Sequence, residues 1–307
     1  MAFLFNNCWA SQAYADDFLT VFREVGPDLL LIDVALFSVM AAAAELGTPR
    51  VRVDHSIYLP KWLDLTDFTD NETGAALNRA VASFETLPLV LAPSYAAFNP
   101  STDFGPAVRH VGPIREVAHP RPWPRRFPER PLVLASLSTS FQDQAETLQR
   151  ICDALSSLEI EALVTTGPAM PPEEFRAASH VDLRRFTPHD EVLPFADLAI
   201  THCGHGTVMA CAGCGSPMLC MPMGRDQHFV ASRVEALGLG AVLDHTATPT
   251  GIADAVSAML ADPAWKHVAG RFAASVPRFG ELELAATLVE QAAAGQCMKE
   301  KPLPQLI

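Results

Sequence analysis

The segment 199–234, AITHCGHGTVMACAGCGSPMLCMPMGRDQHFVASRV, determines the fold class of the second half of the chain. An apolar strand ends at Thr201, a glycine-containing turn follows, and a helix begins near Gly206 or Thr207. A further apolar strand then leads into the turn 224–227. Strand, turn and helix in this order are typical of a parallel sheet covered by helices.

The same alternation extends through the rest of the sequence and predicts two doubly wound α/β domains. From Asp28 onward, short β-type runs alternate with helical periods. A stretch rich in Pro and Arg interrupts the pattern and is typical of a linker. We therefore expect the following parts: a partial N-terminal domain over 1–113, a linker over 114–130, a second domain over 131–296 and a tail over 297–307.

Composition limits the binding partners and the cellular compartment that we expect for the chain. The 307 residues carry 22 Lys and Arg against 35 Asp and Glu, a net charge of −13, which disfavours nucleic acid and anionic membrane surfaces. The start of the chain has no basic region followed by an apolar core, so we expect a cytoplasmic protein without an integral membrane segment. Seven cysteines, an odd number, are consistent with reduced thiols.

Cys211 and Cys214 form a C-x-x-C pair close to Cys203, His202 and His205. A structural zinc site is one interpretation of this spacing. We prefer small buried thiols on a packed helix, because the usual second pair of ligands is not found. No D-x-D triplet is present to chelate a divalent ion, so the sequence predicts no metal in the reaction.

The turn after the strand that ends at Thr201 has the chemistry of a diphosphate site. Gly204 and Gly206 allow close approach to the backbone, so that the N–H groups and the positive end of the helix can face a phosphate. His202 and Thr207 add side-chain donors. His205 either lines the site or only begins the helix.

Asp226 and Gln227 follow the next strand, at the edge of the sheet where ligands of α/β proteins collect. A carboxylate beside a carboxamide suits vicinal sugar hydroxyls, since one accepts two hydrogen bonds and the other donates and accepts. An exposed turn that caps a helix is the alternative. Together with the turn at 202–207, the pair predicts a ligand in which a sugar is joined to a diphosphate.

These residues resemble the donor signature of the nucleotide-sugar-dependent glycosyltransferases of family 1, H-x-G-x-x-[ST] followed by D-Q. The resemblance implies the GT-B fold, in which two Rossmann-like domains face a cleft, here with the first domain incomplete at its N-terminus. It implies a UDP- or dTDP-sugar as co-substrate, with no further cofactor. It also implies that Phe186 and His189 contact the nucleobase and that Thr139 contacts the diphosphate. The alternatives are a core position for Phe186, a helix cap for His189 and a turn for Thr139.

The resemblance places the catalytic histidine of the family after the first strand of the N-terminal domain, in a segment that this sequence lacks. Asp33 matches the aspartate that orients this histidine, so we expect Asp33 to be without its usual partner. His55 follows another strand and either lines the acceptor pocket, is structural, or substitutes for the base. A sheet without its central strand would expose an edge, which predicts self-association.

The function implied is transfer of a hexose, with inversion, from a nucleotide sugar to a hydroxyl group of a small lipophilic acceptor. Whether this shortened chain is itself active stays open, because the segment with the usual catalytic histidine is missing. Two alternatives remain: a nucleotide-sugar binding module without catalysis, and a GT-B epimerase or phosphorylase. A pyridoxal-dependent phosphorylase needs a cofactor lysine, and the region 131–296 offers only Lys266, far from the motifs.

Overall fold

The computed structural model describes residues 11–57, 87–100, 107–114, 123–137, 143–277 and 282–295. The chain forms two compact units, and each is built on a parallel sheet with helices. The first unit takes the residues up to 114 and those from 280 onward, and the second unit takes residues 115–279. The α/β class predicted from the alternating pattern is confirmed.

The sheet of the first unit has four parallel strands in the order β1-β2-β3-β4. The strands are β1 (Leu30–Asp33), β2 (Arg50–Val53), β3 (Val90–Ala92) and β4 (Val108–His110). Two helices precede β2 in the chain, α1 (Gln12–Val25) and α2 (Phe37–Ala44).

Helix α1 ends at Gly26, whose φ of 58° lies in the left-handed region where glycine avoids a steric penalty. Phe18 and Phe22 of this helix pack against the core formed by β1 and α2, including Ile32 and Met40. Among the described strands, β1 lies at the end of the order, and its Leu31 is 56% exposed. Self-association through this edge stays a prediction.

The last helix that the structure describes, α9 (Leu282–Ala293), belongs to the first unit, so the predicted second domain, which ran to 296, extends too far. Ala285 and Leu288 of this helix are buried against Val51, Leu89 and Leu91 of the first sheet. The error has a physical reason: an apolar stripe shows that a helix packs on a sheet, but it does not specify which sheet. The predicted tail over 297–307 lies outside the described residues.

The second unit has six parallel strands in the order β10-β9-β8-β5-β6-β7. The strands are β5 (Leu132–Ser136), β6 (Glu161–Thr165), β7 (Val181–Arg184), β8 (Leu198–Thr201), β9 (Met218–Cys220) and β10 (Gly240–Val242). The helices are α3 (Ala145–Ser156), α4 (His189–Val192), α5 (His205–Cys214), α6 (Gln227–Ala236), α7 (Pro249–Ala261) and α8 (Pro263–Ser275).

Strand β5 begins the second sheet, and the chain builds outward from it in two directions. It passes through β6 to β7 and then returns to the other side of β5 as β8, so the order reverses between β5 and β8. Buried side chains of β5, β8 and α3 fill the core around them, among them Val133, Ile200 and Ile151. In open α/β sheets, ligands bind where the order reverses, at the carboxyl ends of the strands.

Part of the predicted linker packs on the second unit. The Glu161 carboxylate, at the start of β6, accepts hydrogen bonds from Arg125 Nε at 2.9 Å and from the N–H groups of Arg126 and Phe127, both at 3.0 Å. Burial works to raise the pKa of Glu161, but these donors hold it below its usual value. The chain from 123 onward is therefore fixed to this sheet, whereas the sequence pattern predicted a linker up to 130.

None of the described helices is both long enough and apolar enough to cross a membrane.

Candidate functional site

The predicted diphosphate residues lie where the strand order reverses. Strands β5 and β8 are neighbours, with Ser136 opposite Thr201, and Thr201 is in turn opposite Cys220 of β9. Because these strands are parallel, their carboxyl ends meet at one edge of the sheet. The segments that begin at His202 and at Met221 therefore start side by side.

His202 follows β8 directly, and only 7% of it is exposed. Its Nδ1 has no hydrogen-bond partner within the described part of the chain. Burial lowers the pKa of His202 to about 4, against the opposing effects of Asp226 and of a hydrogen bond with the Ser136 backbone. The imidazole is therefore neutral at pH 7, and it carries a buried polar atom that a ligand can satisfy.

The turn between β8 and α5 is tight. Cys203 has a φ of 68°, in the left-handed region, and its N–H donates to Thr201 Oγ1 at 3.1 Å. A Cβ added to Gly204 would lie 2.7 Å from Nε2 of His202, so glycine is required there by the imidazole itself. A Cβ added to Gly206 would meet no atom within 4 Å, so this part of the turn is open to a ligand.

Helix α5 begins at His205, with Gly204 as its N-cap. The N–H groups of Thr207 and Val208 both donate to the Gly204 carbonyl at 3.1 Å. The N–H groups of His205 and Gly206 precede these first helical hydrogen bonds, and such groups together with the positive helix end favour an anion. The structure thus places Gly204, Gly206 and Thr207 around the helix start next to His202.

A polar cluster links His202 to the neighbouring strands. Ser136, the last residue of β5, accepts a hydrogen bond from Thr165 Oγ1 at 2.7 Å, and its Oγ lies 3.0 Å from His189 Nε2. Its backbone is also hydrogen-bonded to His202. Ser136 begins the loop 136–139, which includes the predicted diphosphate residue Thr139, whereas no motif marks Thr165; each is a polar residue that closes an apolar strand.

The structure separates the roles of Asp226 and Gln227. Gln227 is 2% exposed, and its Oε1 accepts from the N–H groups of Met223 at 2.8 Å and Gly224 at 3.2 Å. Its carboxamide oxygen therefore closes the turn after β9, and the sugar-binding role of Gln227 stays a prediction. Asp226 is exposed and acts electrostatically on His202, so the carboxylate and the imidazole belong to one site.

The predicted nucleobase residues differ in their surroundings. Phe186 follows β7 and is 72% exposed, which excludes the core position considered as its alternative. His189 is half-buried against Ser136, in the first turn of α4. Thr139 lies outside the described residues.

The C-x-x-C pair lies on α5, with Cys211 buried and Cys214 half-buried, and neither forms a disulfide. Across the ranges that the structure describes, no three His, Cys, Asp or Glu side chains converge on a metal position. Lys266 donates to the Ala196 carbonyl at 2.5 Å, just before β8, at the end of the sheet opposite the site. A surface groove that contains the first residues of β5, β6 and β7 lies at that opposite end too.

In the first unit, Asp33 has a partner that the sequence analysis did not assign to it. His55 Nδ1 lies 2.9 Å from Oδ1 and 2.8 Å from Oδ2 of Asp33. Asp33 therefore has a histidine beside it, although this is not the histidine that the resemblance assigns to it. The two residues are 22 positions apart, and the pairing of β1 with β2 brings them together.

Comparison with known proteins shows what part of the chain resembles. Residues 149–290 match the family model described as erythromycin biosynthesis protein CIII-like, C-terminal domain. The chain is 29% identical over 179 residues to NDP-glycosyltransferase YjiC of Bacillus subtilis (strain 168), a match that covers 58% of this chain and 44% of that protein. The matched part of this chain is similar to known glycosyltransferases.

Solved structures extend the similarity to the fold of most of the chain. The glycotransferase of kitacinnamycin superposes with a TM-score of 0.75 at 21% identity, covering 92% of this chain and 83% of that one. Glycosyltransferase VinC in complex with DTDP gives a TM-score of 0.69 at 20% identity, covering 96% and 82%. The GT-B fold expected from the resemblance is confirmed. The chain spans less than half the length of the curated relative named above.

Proposed function

We propose that the chain binds a nucleoside diphosphate sugar through its second unit and transfers the hexose to a hydroxyl group of a small lipophilic acceptor. The observation that carries the proposal is the buried His202 beside the start of α5 and Asp226, where the order of the second sheet reverses. A buried imidazole, a helix start and a carboxylate at that position suit a ligand that joins an anion to a polyol.

Each part of the ligand has a matching group. The diphosphate would accept hydrogen bonds from the N–H groups at the start of α5, from Thr207 and from His202. Asp226 would accept from hydroxyl groups of the sugar, and the exposed ring of Phe186 would stack on the base. Negative charge grows on the diphosphate as its bond to the sugar breaks, and donors that are already oriented stabilise that charge most.

The reaction proposed is a direct displacement with inversion at the anomeric carbon. The acceptor oxygen attacks as the diphosphate leaves from the opposite face, so the leaving group is stabilised by protein donors without a metal ion. The dTDP in the VinC structure supports a nucleoside diphosphate as the ligand class. UDP- and dTDP-sugars are both proposed as donors.

Isothermal titration calorimetry of the full chain with UDP and with dTDP, in the presence of EDTA, tests the donor site. We expect binding that His202→Ala weakens about 10-fold or more, since a hydrogen bond to a charged group contributes about 1.5–3 kcal/mol. The matched control is His267→Ala, an exposed histidine on α8, which should bind as the wild type does. Absence of binding, or equal affinity of His202→Ala and wild type, would refute the proposal.

Turnover separates the proposed transferase from the two alternatives. Incubation with a nucleotide sugar and a panel of phenolic and alkyl acceptors should give a glycoside and free nucleoside diphosphate. Binding without any product would instead favour a nucleotide-sugar binding module. Conversion of the donor sugar in the absence of an acceptor would favour an epimerase.

A further inference from the structure

We propose that the guanidinium group of Arg225 binds the diphosphate of the nucleotide sugar. The inference deepens the proposed function and rests on it. To the neutral imidazole of His202, the start of α5 and the carboxylate of Asp226, it adds a full positive charge.

Arg225 lies in the turn that follows β9, beside the start of the candidate site. The N–H of Met221, just after this strand, donates to the Thr201 carbonyl at 2.8 Å, so the chain leaves β9 next to the residue that precedes His202. Arg225 is exposed, and its charge acts on His202. The guanidinium and the buried imidazole therefore belong to the same edge of the second sheet.

The backbone of Arg225 is strained. Its φ of 56° lies in the left-handed region, where the Cβ of any residue other than glycine crowds the backbone. Residues held in such conformations collect at ligand-binding sites, because the surrounding structure must enforce them. An arginine at a position that suits glycine indicates that its side chain has a use.

The strained residues of the second unit all lie along the edge that contains the candidate site. Among the residues that the structure describes, three other than glycine have a positive φ. Asp143 lies between β5 and α3, Cys203 between β8 and α5, and Arg225 between β9 and α6. Strands β5, β8 and β9 are neighbours, so the strain is concentrated at the carboxyl ends where ligands of such sheets bind.

Gln227 holds the turn in its strained conformation. Its Oε1 accepts from the N–H groups of Met223 at 2.8 Å and Gly224 at 3.2 Å, and its own N–H donates to the Gly224 carbonyl at 3.2 Å. Because Gln227 is buried, these contacts join the residues on both sides of Arg225 firmly. The backbone from which the arginine side chain extends is therefore fixed in position.

The guanidinium is available to a ligand. Within the described part of the chain, no hydrogen bond or ion pair holds it. Its planar set of N–H donors matches two oxygens of a phosphate group. The chain carries a net charge of −13, so a cation at this edge also reduces the repulsion that an approaching diphosphate meets.

The test is calorimetric titration of the full chain with dTDP and with thymidine. We expect Arg225→Gln to weaken dTDP binding about 10-fold or more, since it removes a charge-assisted hydrogen bond, and to leave thymidine binding unchanged. Arg225→Lys keeps the charge and should lose less than Arg225→Gln. The matched control is Arg271→Gln, an exposed arginine on α8, which should bind dTDP as the wild type does.

Arg225→Gly gives a readout that a merely structural role would not produce. It removes the guanidinium and the backbone strain together. We expect weaker dTDP binding but a urea unfolding midpoint at or above that of the wild type. A structural arginine would instead lower the midpoint when removed, and such a decrease with unchanged dTDP affinity would contradict the proposal.

Three further results would overturn the inference while leaving the donor site intact. One is equal dTDP affinity of Arg225→Gln and the wild type, and another is an equal loss of affinity for dTDP and thymidine. The third is a loss with UDP-glucuronate alone, which would assign the guanidinium to a sugar carboxylate. Failure of the wild type to bind dTDP would instead refute the proposed function, so the two failures are distinguishable.

Discussion

Gly204 is the position where the smallest change should disturb the candidate site most. In Gly204→Ala the new methyl group would lie 2.7 Å from Nε2 and 2.8 Å from Cε1 of His202. Normal contact between such atoms begins at about 3.5 Å, so both distances are too short by roughly 0.7 Å. The His202 ring has little room to move aside, since it is only 7% exposed.

The cost has two parts. Overpacking of this size lowers the free energy of unfolding by about 1–3 kcal/mol. A displaced imidazole would also lose its hydrogen bond to a bound diphosphate, which corresponds to an affinity about 10- to 100-fold weaker. Urea unfolding followed by tryptophan fluorescence measures the first part, and calorimetric titration with dTDP measures the second.

Gly206→Ala is the matched comparison, because its methyl group would meet no atom within 4 Å. Gly206 lies inside α5, so alanine there should raise the stability by up to about 1 kcal/mol. Its methyl group would nevertheless occupy the open side of the turn and weaken dTDP binding. If Gly204→Ala were as stable as the wild type and bound dTDP equally well, the argument for contact between turn and imidazole would be refuted.

Three further predictions concern pH, the exposed ring and the linker. Burial lowers the pKa of both His202 and His110 to about 4, so the unfolded chain takes up protons near pH 6.5 that the folded chain does not. The free energy of unfolding should therefore fall by up to about 3 kcal/mol per histidine as the pH drops from 6.5 to 4. Urea unfolding at several pH values measures this change. A constant free energy of unfolding over this range would contradict it. Phe186→Ala should change the free energy of unfolding by less than about 0.5 kcal/mol but weaken dTDP binding about 2- to 12-fold. Unchanged affinity in calorimetric titration would exclude stacking of this ring on the nucleobase. Glu161→Ala should lower the free energy of unfolding by about 3 kcal/mol, because it removes the acceptor of Arg125 Nε and of two backbone N–H groups. Urea unfolding measures this change. A decrease below about 1 kcal/mol would mean that this contact does not fix the linker.

Periodicity and glycine positions were sufficient to predict the strands and most of the helices. The strand that ends at Thr201, the turn after it and the helix that follows appear where the sequence places them. Local chain geometry controls these features, so neighbouring residues are enough to predict them.

Contacts that depend on which strands are neighbours could not be predicted in the same way. Ser136, Thr165 and His189 meet only because β5 and β6 are adjacent and α4 follows β7. Asp33 and His55 meet only through the register of β1 with β2. Residue types and spacing do not fix such a register, and a short polar side chain looks the same whether or not it has a distant partner.

Gln227 illustrates a different limit. The chemistry of a carboxamide suits a sugar, and the sequence places it beside Asp226 in a suitable turn. The same chemistry also suits the two backbone N–H groups of that turn, and the structure uses it there. A polar side chain next to a helix start can serve either purpose or both, because its oxygen can accept from the turn while its NH2 group donates elsewhere.

The return of α9 to the first sheet bears on how the protein is made. The ribosome releases the strands that α9 covers long before it has synthesised the helix. Val51, Leu89 and Leu91 are therefore not buried by α9 until nearly the whole of this chain has emerged. During that interval the second unit can already fold, while the first exposes an apolar sheet surface to chaperones. In a fragment that stops at residue 114, this apolar surface would stay exposed to solvent. We expect such a fragment to aggregate unless α9 is supplied as a separate peptide.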